Sequence, residues 1–193
     1  MTRTILITGA GSGFGKGVAL GLAEAGHKVI ASCQIWPQVT ELRAEAARRG
    51  LTMQVIKLDV LSAIDRDHAL ALEFDTLFNN AGIMESGPVA ELPPEIVRRI
   101  FDTNVFAALE MAQGAAKKFI RAGGGRIVWT SSVAGLVNVP WDGAYSASKF
   151  GLRGMTEALA REYADTPLRF QYLSPRATRT PCQVPDSSWP APT

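Results

Sequence analysis

The sequence predicts an α/β fold built on a doubly wound parallel β-sheet, and three observations predict it. Short apolar, β-branched runs alternate with helical patterns along the chain, as they do where helices connect parallel strands. The first such run leads directly into a glycine-rich turn and a helix. Polar residues follow the ends of several predicted strands, at the edge where sheets of this kind bind ligands.

Composition and charge narrow the class of protein. The chain has 193 residues, 47% of them hydrophobic and 20% charged, which is typical of one globular domain with a sizeable core. A net charge of +2 is too small to predict binding to nucleic acid or an anionic membrane. We expect no membrane span and no signal peptide, because no apolar run is long enough and the N-terminus leads straight into a strand. The two cysteines fit no metal spacing, and we expect a cytoplasmic protein.

The first strand is predicted over residues 4–8 (TILIT), and a helix over residues 18–26 ends at a glycine. Between them lies GAGSGFGKG, in the strand–turn–helix context of a nucleotide site. Glycines let the backbone approach a pyrophosphate closely, and the helix N-terminus offers free N–H groups and a positive dipole end. This stretch therefore predicts a dinucleotide-binding turn.

The spacing of the glycines excludes two other nucleotide motifs. GxGxxG fails because Phe14 or Lys16 occupies the position of its third glycine. A P-loop fails because Gly17, and not Ser or Thr, follows Lys16. The pattern that fits is TGxxxGxG, at Thr8, Gly9, Gly13 and Gly15.

The second strand, predicted over residues 27–32 (HKVIAS), ends where a dinucleotide fold selects its cofactor. An acidic residue there would bind the ribose hydroxyls and repel a 2′-phosphate. The chain has Cys33 and Gln34 instead, with Lys16 as the nearest candidate cation and no arginine to capture the phosphate. We therefore expect NADP in preference to NAD, with NAD still open.

The middle of the chain continues the alternation of strands and helices. A helix is predicted over residues 37–49, a third strand over 51–58, a short helix over 62–72 and a fourth strand over 74–78. Residues with a turn composition follow the last two strands: Asp59 and Val60 after the third, and Asn79, Asn80, Ala81 and Gly82 after the fourth.

The second half adds polar residues to the same pattern. A long helix from Pro94 to about residue 120 contains Asn104 among apolar neighbours, where a buried amide needs hydrogen-bond partners. A fifth strand over residues 126–130 ends at two serines, and a sixth covers 168–173. Between them, a helix over residues 143–163 carries Tyr145 and Lys149.

Tyr145 and Lys149 are four residues apart, so that on a helix their side chains share one face. An ammonium near a phenol stabilises the phenolate and lowers the tyrosine pKa from about 10, at about 1.4 kcal/mol per pKa unit. Such a tyrosine can give a proton to an alcohol oxygen or take one from it, and Ser132 could hydrogen-bond the same oxygen. Because YxxxK alone arises often by chance, this interpretation depends on the motifs that precede it.

With these motifs in order, the chain resembles the short-chain dehydrogenase/reductase family. The resemblance is carried by TGxxxGxG at residues 8–15, by NNAG at residues 79–82, and by Ser132, Tyr145 and Lys149, and it covers residues 1 to about 175. It implies a Rossmann-like sheet, with six strands in the order 3-2-1-4-5-6 and the seventh missing. It also implies an NAD(P)-dependent oxidoreductase that transfers a hydride between the nicotinamide and a secondary alcohol or ketone.

The resemblance implies roles for the site residues. Tyr145 is the general acid or base, Ser132 binds the reacting oxygen, and Lys149 binds the nicotinamide ribose. Asn104 completes the tetrad by bending its helix and holding a relay water. The implied cofactor-binding residues are Thr8, Gly9, Gly11, Ser12, Gly13, Phe14, Gly15, Cys33, Gln34, Asp59, Val60, Asn80, Ala81, Gly82, Tyr145, Lys149, Pro175, Thr178 and Thr180. An apolar run at residues 136–141 favours an apolar small-molecule substrate.

The C-terminal residues depart from the family pattern. After Pro175, Arg176 replaces the usual glycine and brings bulk and charge near the nicotinamide. We expect a catalytic domain over residues 1–180 and an irregular, Pro-rich tail over 181–193. An alternative therefore stays open, in which the chain is a cofactor-binding sensor or partner subunit with little turnover. The resemblance also implies a homodimer through the two long helices, with a tetramer less assured.

Overall fold

The computed structural model of the chain describes residues 2–175, and the strands in this range form a single sheet. In chain order the strands are β1 (Thr4–Ile7), β2 (Lys28–Cys33), β3 (Gln54–Lys57), β4 (Thr76–Asn79), β5 (Gly125–Thr130) and β6 (Leu168–Leu173). All neighbouring pairs are parallel, in the order β3-β2-β1-β4-β5-β6. This confirms the predicted doubly wound fold and its strand order.

Within residues 2–175, six α-helices lie between the strands. They are α1 (Gly13–Glu24), α2 (Trp36–Arg48), α3 (Ala63–Ala71), α4 (Pro94–Phe101), α5 (Ala107–Arg121) and α6 (Gly143–Glu162). The long helix predicted from Pro94 is divided, because a π-helical turn, Asp102–Phe106, separates α4 from α5. The first helix begins five residues earlier than predicted, because it includes Gly13, Gly15 and Gly17 of the glycine-rich turn.

The core lies in two layers, one on each face of the sheet. Successive residues of a strand point to opposite faces, so that Leu6 packs in one layer and Ile7 in the other. One layer contains Met111 of α5 and Leu152 of α6, and the other contains Leu42 of α2. Helices cover both faces, which explains why the strands are near-continuous apolar runs.

The register of the central strands places the polar residues at one edge. Ile7 pairs with Phe78, and Phe78 pairs with Val128, so the ends of β1, β4 and β5 lie within two residues of one another. Thr8, Asn80 and Thr130 therefore lie together at the carboxyl edge, where open α/β sheets bind their ligands. Within residues 2–175, no helix is both long enough and apolar enough to cross a membrane.

Candidate active site

The glycine turn after β1 is packed against the turn after β4. Thr8 Oγ1 accepts hydrogen bonds from the backbone N–H groups of Asn80 at 2.9 Å and of Ala81 at 3.0 Å. Gly9 has a φ of 68°, and a Cβ on it would lie 2.7 Å from the Cα of Ala81. A side chain at position 9 would therefore be strained and would separate the two turns.

Asn80 joins the ends of three strands. Its Nδ2 donates to the carbonyl oxygens of Thr8 at 3.1 Å and Gly9 at 3.0 Å, and its Oδ1 accepts from Thr130 Oγ1 at 3.3 Å. A Cβ on Gly15 would overlap both Asn80 Nδ2 and the Gly9 carbonyl oxygen. The amide of Asn80 therefore occupies the space that the third motif glycine leaves.

The N-terminus of α1 is open to an anionic ligand. The helix begins at Gly13, Ser12 makes no side-chain capping bond, and the first turn contains no acidic residue. Its first N–H groups and positive dipole end are therefore available, as a pyrophosphate site requires. Together with the closely packed glycine turn, this local arrangement fits a dinucleotide cofactor.

Lys149 is buried and points at the end of β5. Its side chain is on the face of α6 that packs against the sheet, the residue is 3% exposed, and its Nζ donates to the Thr130 carbonyl oxygen at 2.8 Å. The same Nζ lies 5.5 Å from the centre of the Tyr145 ring. Burial lowers the pKa of Lys149 to about 8, because the charged ammonium has lost most of its hydration.

Asn104 lies in the π-helical turn and is 0% exposed. Its Oδ1 accepts from the Ile83 N–H at 2.8 Å, and its Nδ2 donates to the Ile83 carbonyl oxygen at 2.9 Å and to Ser148 Oγ at 3.0 Å. The buried amide thus has the hydrogen-bond partners that it needs. A Cβ on Gly82 would lie 3.1 Å from Asn104 Oδ1 and 3.5 Å from Lys149 Nζ, so the NNAG turn closes over both side chains.

Ser132 follows β5 at the same edge. Its Oγ accepts from the Ala134 N–H at 3.1 Å and caps a short 3₁₀ turn, Val133–Gly135. This turn packs on α6, since a Cβ on Gly135 would lie 3.0 Å from the Lys149 carbonyl oxygen. The serine is therefore brought to the helix that carries Tyr145 and Lys149.

The loop before α6 is held in a strained conformation. Trp141 has a φ of 76° and is the single non-glycine residue with positive φ among residues 2–175. Its carbonyl oxygen accepts from the Gly87 N–H at 2.7 Å, and Ser86 Oγ donates to Asp142 Oδ1 at 2.6 Å. The loop after β4 therefore fixes the apolar run before the helix, in which Leu136, Val137, Val139 and Trp141 are exposed.

The residues predicted to contact the adenosine half of the cofactor lie at the ends of β2 and β3. Cys33 is a buried free thiol whose pKa is raised to about 11, chiefly by burial, whereas Gln34 is exposed. Asp59 Oδ1 accepts from the Leu61 N–H at 3.0 Å, and Val60 is buried beside it. Pro175 is the last described residue. Arg176, Thr178, Thr180 and the tail lie outside the described residues.

Two residues of the site were not singled out from the sequence. Ser148 connects Asn104 to α6, and Thr130 holds both Lys149 and Asn80. Ser148 stands three residues after Tyr145 on a helix, and a small polar residue on that buried face was the available signal. Thr130 is the last residue of β5, at the edge where the other site residues lie.

Three features now lie together: a doubly wound sheet, a glycine turn that can bind an anion, and a buried lysine beside a tyrosine. This combination defines a dinucleotide-dependent oxidoreductase. The short chain dehydrogenase family model matches residues 3–191. The chain belongs to this family, and it is an oxidoreductase that uses a nicotinamide cofactor.

Known relatives and solved structures agree with this assignment. Cyclohexanol dehydrogenase of Acinetobacter sp. (strain SE19) is 35% identical, over 93% of this chain and 74% of the relative. A structure described as a proposed NAD(P)-dependent gluconate 5-dehydrogenase from Beutenbergia cavernae, with bound NADP, matches with a TM-score of 0.87 at 30% identity, over 93% of this chain and 74% of the other. A short chain dehydrogenase/reductase from Burkholderia phymatum, in complex with NAD, matches with a TM-score of 0.86 at 27% identity, over 94% of this chain and 68% of the other.

Proposed function

We propose that the chain interconverts a secondary alcohol and its ketone, with Tyr145 as the general acid–base group. The observation that carries the proposal is the position of the Lys149 ammonium, buried on the Thr130 carbonyl oxygen and 5.5 Å from the Tyr145 ring centre. A positive charge held there stabilises the phenolate form of the tyrosine. Since the pKa of Lys149 is about 8, the lysine carries this charge at neutral pH.

A nicotinamide held at this edge of the sheet would supply the hydride for reduction of the substrate, or accept it in oxidation. The hydroxyl of Tyr145 donates a proton to the substrate oxygen during reduction and removes it during oxidation. Ser132 donates a hydrogen bond to the same oxygen, and Asn104 keeps the helix turn in place and holds a relay water. The exposed apolar run at residues 136–141 supports an apolar substrate, because it borders the N-terminus of the helix that carries the tyrosine.

In this proposal the glycine turn at residues 8–15 and the NNAG turn at residues 79–82 would hold the cofactor. Support comes from the open N-terminus of α1 and from the hydrogen bonds that join the two turns. We also propose residues 1–180 as the catalytic domain, the cytoplasm as the location, and a homodimer as the assembly. The comparison structures contain either NADP or NAD, so they support both cofactors.

The test is a screen of apolar secondary alcohols and ketones with both cofactors, on the wild-type chain and on Tyr145→Phe. We expect Tyr145→Phe to lose nearly all turnover while it still binds the cofactor, measured by nicotinamide fluorescence. Tyr163→Phe, just after the last turn of α6 and packed on Phe170, is the matched control and should keep its turnover. Turnover retained by Tyr145→Phe would contradict the role of the tyrosine. Wild-type chain that binds cofactor and turns over none of the compounds would instead favour the sensor alternative.

A further inference from the structure

The ammonium of Lys16, at the beginning of α1, lies between two carboxylates of α2. Its Nζ is 3.0 Å from Glu41 Oε1 and 2.5 Å from Glu45 Oε2. Hydrogen bonds to Glu45 and then Glu41 raise the pKa of Lys16. Two carboxylates of the protein therefore already compensate the charge of this lysine.

The two carboxylates belong to a wider charge cluster that is acidic on balance. Glu45 Oε1 also accepts from Arg49 at 2.6 Å, and Arg49 pairs with Glu24 at 3.3 Å. The cluster of Lys16, Glu24, Glu41, Glu45 and Arg49 therefore holds three carboxylates and two cations. Arg43, the other cation of α2 near this point, donates to the Val55 carbonyl oxygen at 2.7 Å and lies on the β3 side.

This cluster lies near the end of β2, where dinucleotide-binding folds contact the adenosine ribose. In such folds the residues after the second strand contact the 2′ position of the adenosine ribose. Here the Ala10 N–H donates to the Ser32 carbonyl oxygen at 2.6 Å, which joins the glycine turn to the end of β2. The Gln38 amide of α2 covers Gly11, since a Cβ on Gly11 would lie 2.6 Å from Gln38 Cδ. The beginning of α2 is thus packed against the turn.

Glu41 is the carboxylate whose charge acts on this strand end. Burial is the main cause of the raised pKa of the Cys33 thiol, at the last residue of β2. The charge of Glu41 raises this pKa further, whereas the charges of Lys16 and Arg43 lower it. A 2′-phosphate at this end would have to take Lys16 away from two carboxylates, and it would meet Glu41 as a like charge. An uncharged 2′-hydroxyl would neither compete for Lys16 nor be repelled by Glu41. The exposed amide of Gln34 can both donate a hydrogen bond to this hydroxyl and accept one from it.

We propose that Glu41 and Glu45 select against the 2′-phosphate, and that the chain binds NAD(H) more tightly than NADP(H). The inference rests on the dinucleotide site proposed above. The expectation of NADP from the sequence took Lys16 as an available cation, and the two ion pairs remove that reason. The specificity-determining group is therefore a carboxylate pair on α2, eight and twelve residues beyond the strand end.

The experiment is a titration of the full chain with NADH and with NADPH, followed by nicotinamide fluorescence at fixed ionic strength, without any substrate. We expect the wild-type chain to bind NADH about tenfold more tightly than NADPH, which corresponds to about 1.4 kcal/mol. Glu41→Gln together with Glu45→Gln should tighten NADPH binding about tenfold and leave NADH binding within about twofold. Glu24→Gln is the matched control, because Glu24 contacts Arg49 and not Lys16, and it should change neither affinity.

Lys16→Met in the background of Glu41→Gln and Glu45→Gln gives a second readout. In that background the lysine has lost both carboxylate partners, so its removal should abolish the gain in NADPH affinity and leave NADH binding within about twofold. A triple variant that keeps the whole gain would overturn the claim that the carboxylates act by holding the lysine. Wild-type chain that prefers NADPH, or a double glutamine variant with unchanged NADPH affinity, would overturn the inference itself. Failure of the folded wild-type chain to bind either cofactor would overturn the proposed dinucleotide site, and the inference with it.

Discussion

Asn104 Nδ2 donates a hydrogen bond to Ser148 Oγ at 3.0 Å, and this contact joins the π-helical turn before α5 to the N-terminal part of α6. Ser148 Oγ in turn donates to the Tyr145 carbonyl oxygen at 2.6 Å. Because Asn104 also binds both backbone groups of Ile83, one side chain connects α6 to the loop after β4. Such π-helical turns occur frequently at functional sites, since they change the direction of a side chain within a helix.

The first prediction concerns Ser148. Ser148→Ala should lower the free energy of unfolding by about 1–2 kcal/mol, because the buried amide of Asn104 then loses an acceptor. Ser146→Ala is the matched control at another buried position of α6, since the Ser146 hydroxyl has no hydrogen-bond partner within residues 2–175. Its effect should be small or stabilising. Urea denaturation measures both, and equal destabilisation by the two substitutions would show that the Asn104 contact contributes nothing.

The second prediction concerns the pH dependence of stability that Lys149 introduces. Burial lowers its folded-state pKa to about 8, whereas the unfolded chain titrates near the ordinary lysine pKa of about 10.4. Between these values the unfolded chain binds more protons, so the lysine's contribution to stability rises with pH and is lost as the pH falls to about 8. The change is about 3 kcal/mol, at about 1.4 kcal/mol per pKa unit.

Lys149→Met lacks this titration and is the reference for the measurement. We expect the unfolding free energy of the wild-type chain, relative to that of Lys149→Met, to increase between pH 8 and pH 10 in cofactor-free protein. Chemical denaturation at a series of pH values measures the difference. A constant difference across this range would mean that the buried lysine keeps an ordinary pKa.

The third prediction compares two glycines of α1. Gly15→Ala should destabilise the chain by about 1–3 kcal/mol, because its Cβ would overlap Asn80 Nδ2 and the Gly9 carbonyl oxygen. It should also weaken cofactor binding, since Asn80 then no longer joins the two turns. Gly17→Ala meets no atom within 4 Å and should stabilise the helix by up to about 1 kcal/mol. Thermal unfolding and nicotinamide fluorescence distinguish the two, and a harmless Gly15→Ala would refute the close packing of the turn.

The fourth prediction concerns assembly. Ile120 of α5 and Phe150 of α6 are 50% and 43% exposed, and large exposed apolar groups on long helices are typical of subunit contacts. We expect the chain to sediment as a dimer at micromolar concentration and Phe150→Glu to sediment as a monomer. Ile64→Glu, on α3 and 69% exposed, is the control and should stay dimeric. A wild-type monomer at this concentration would exclude the proposed dimer.

Much of the fold could be predicted because its signals are local. Apolar runs mark six strands, a glycine turn marks the first crossover, and the strand order follows the doubly wound pattern. The residue pattern at Asp102–Phe106 did not indicate the π-helical turn, because it continues the helical pattern on either side, and only the family resemblance implied a bend at Asn104. The π-helical turn accompanies contacts that Asn104 makes with Ile83 and Ser148, which are 21 and 44 residues away.

The sequence by itself determined the class of the protein. Within each motif the residues are close together in the chain, and the chemistry of the motif follows from residue type and spacing. Only the tertiary structure decided the electrostatic state of two lysines. The charge of Lys16 is compensated by glutamates that lie 25 and 29 residues away in the chain. The ammonium of Lys149 is desolvated against the end of a strand that lies 19 residues before it. The physical reason is that charge compensation and desolvation depend on which distant groups the packing of helices on the sheet brings within a few ångströms.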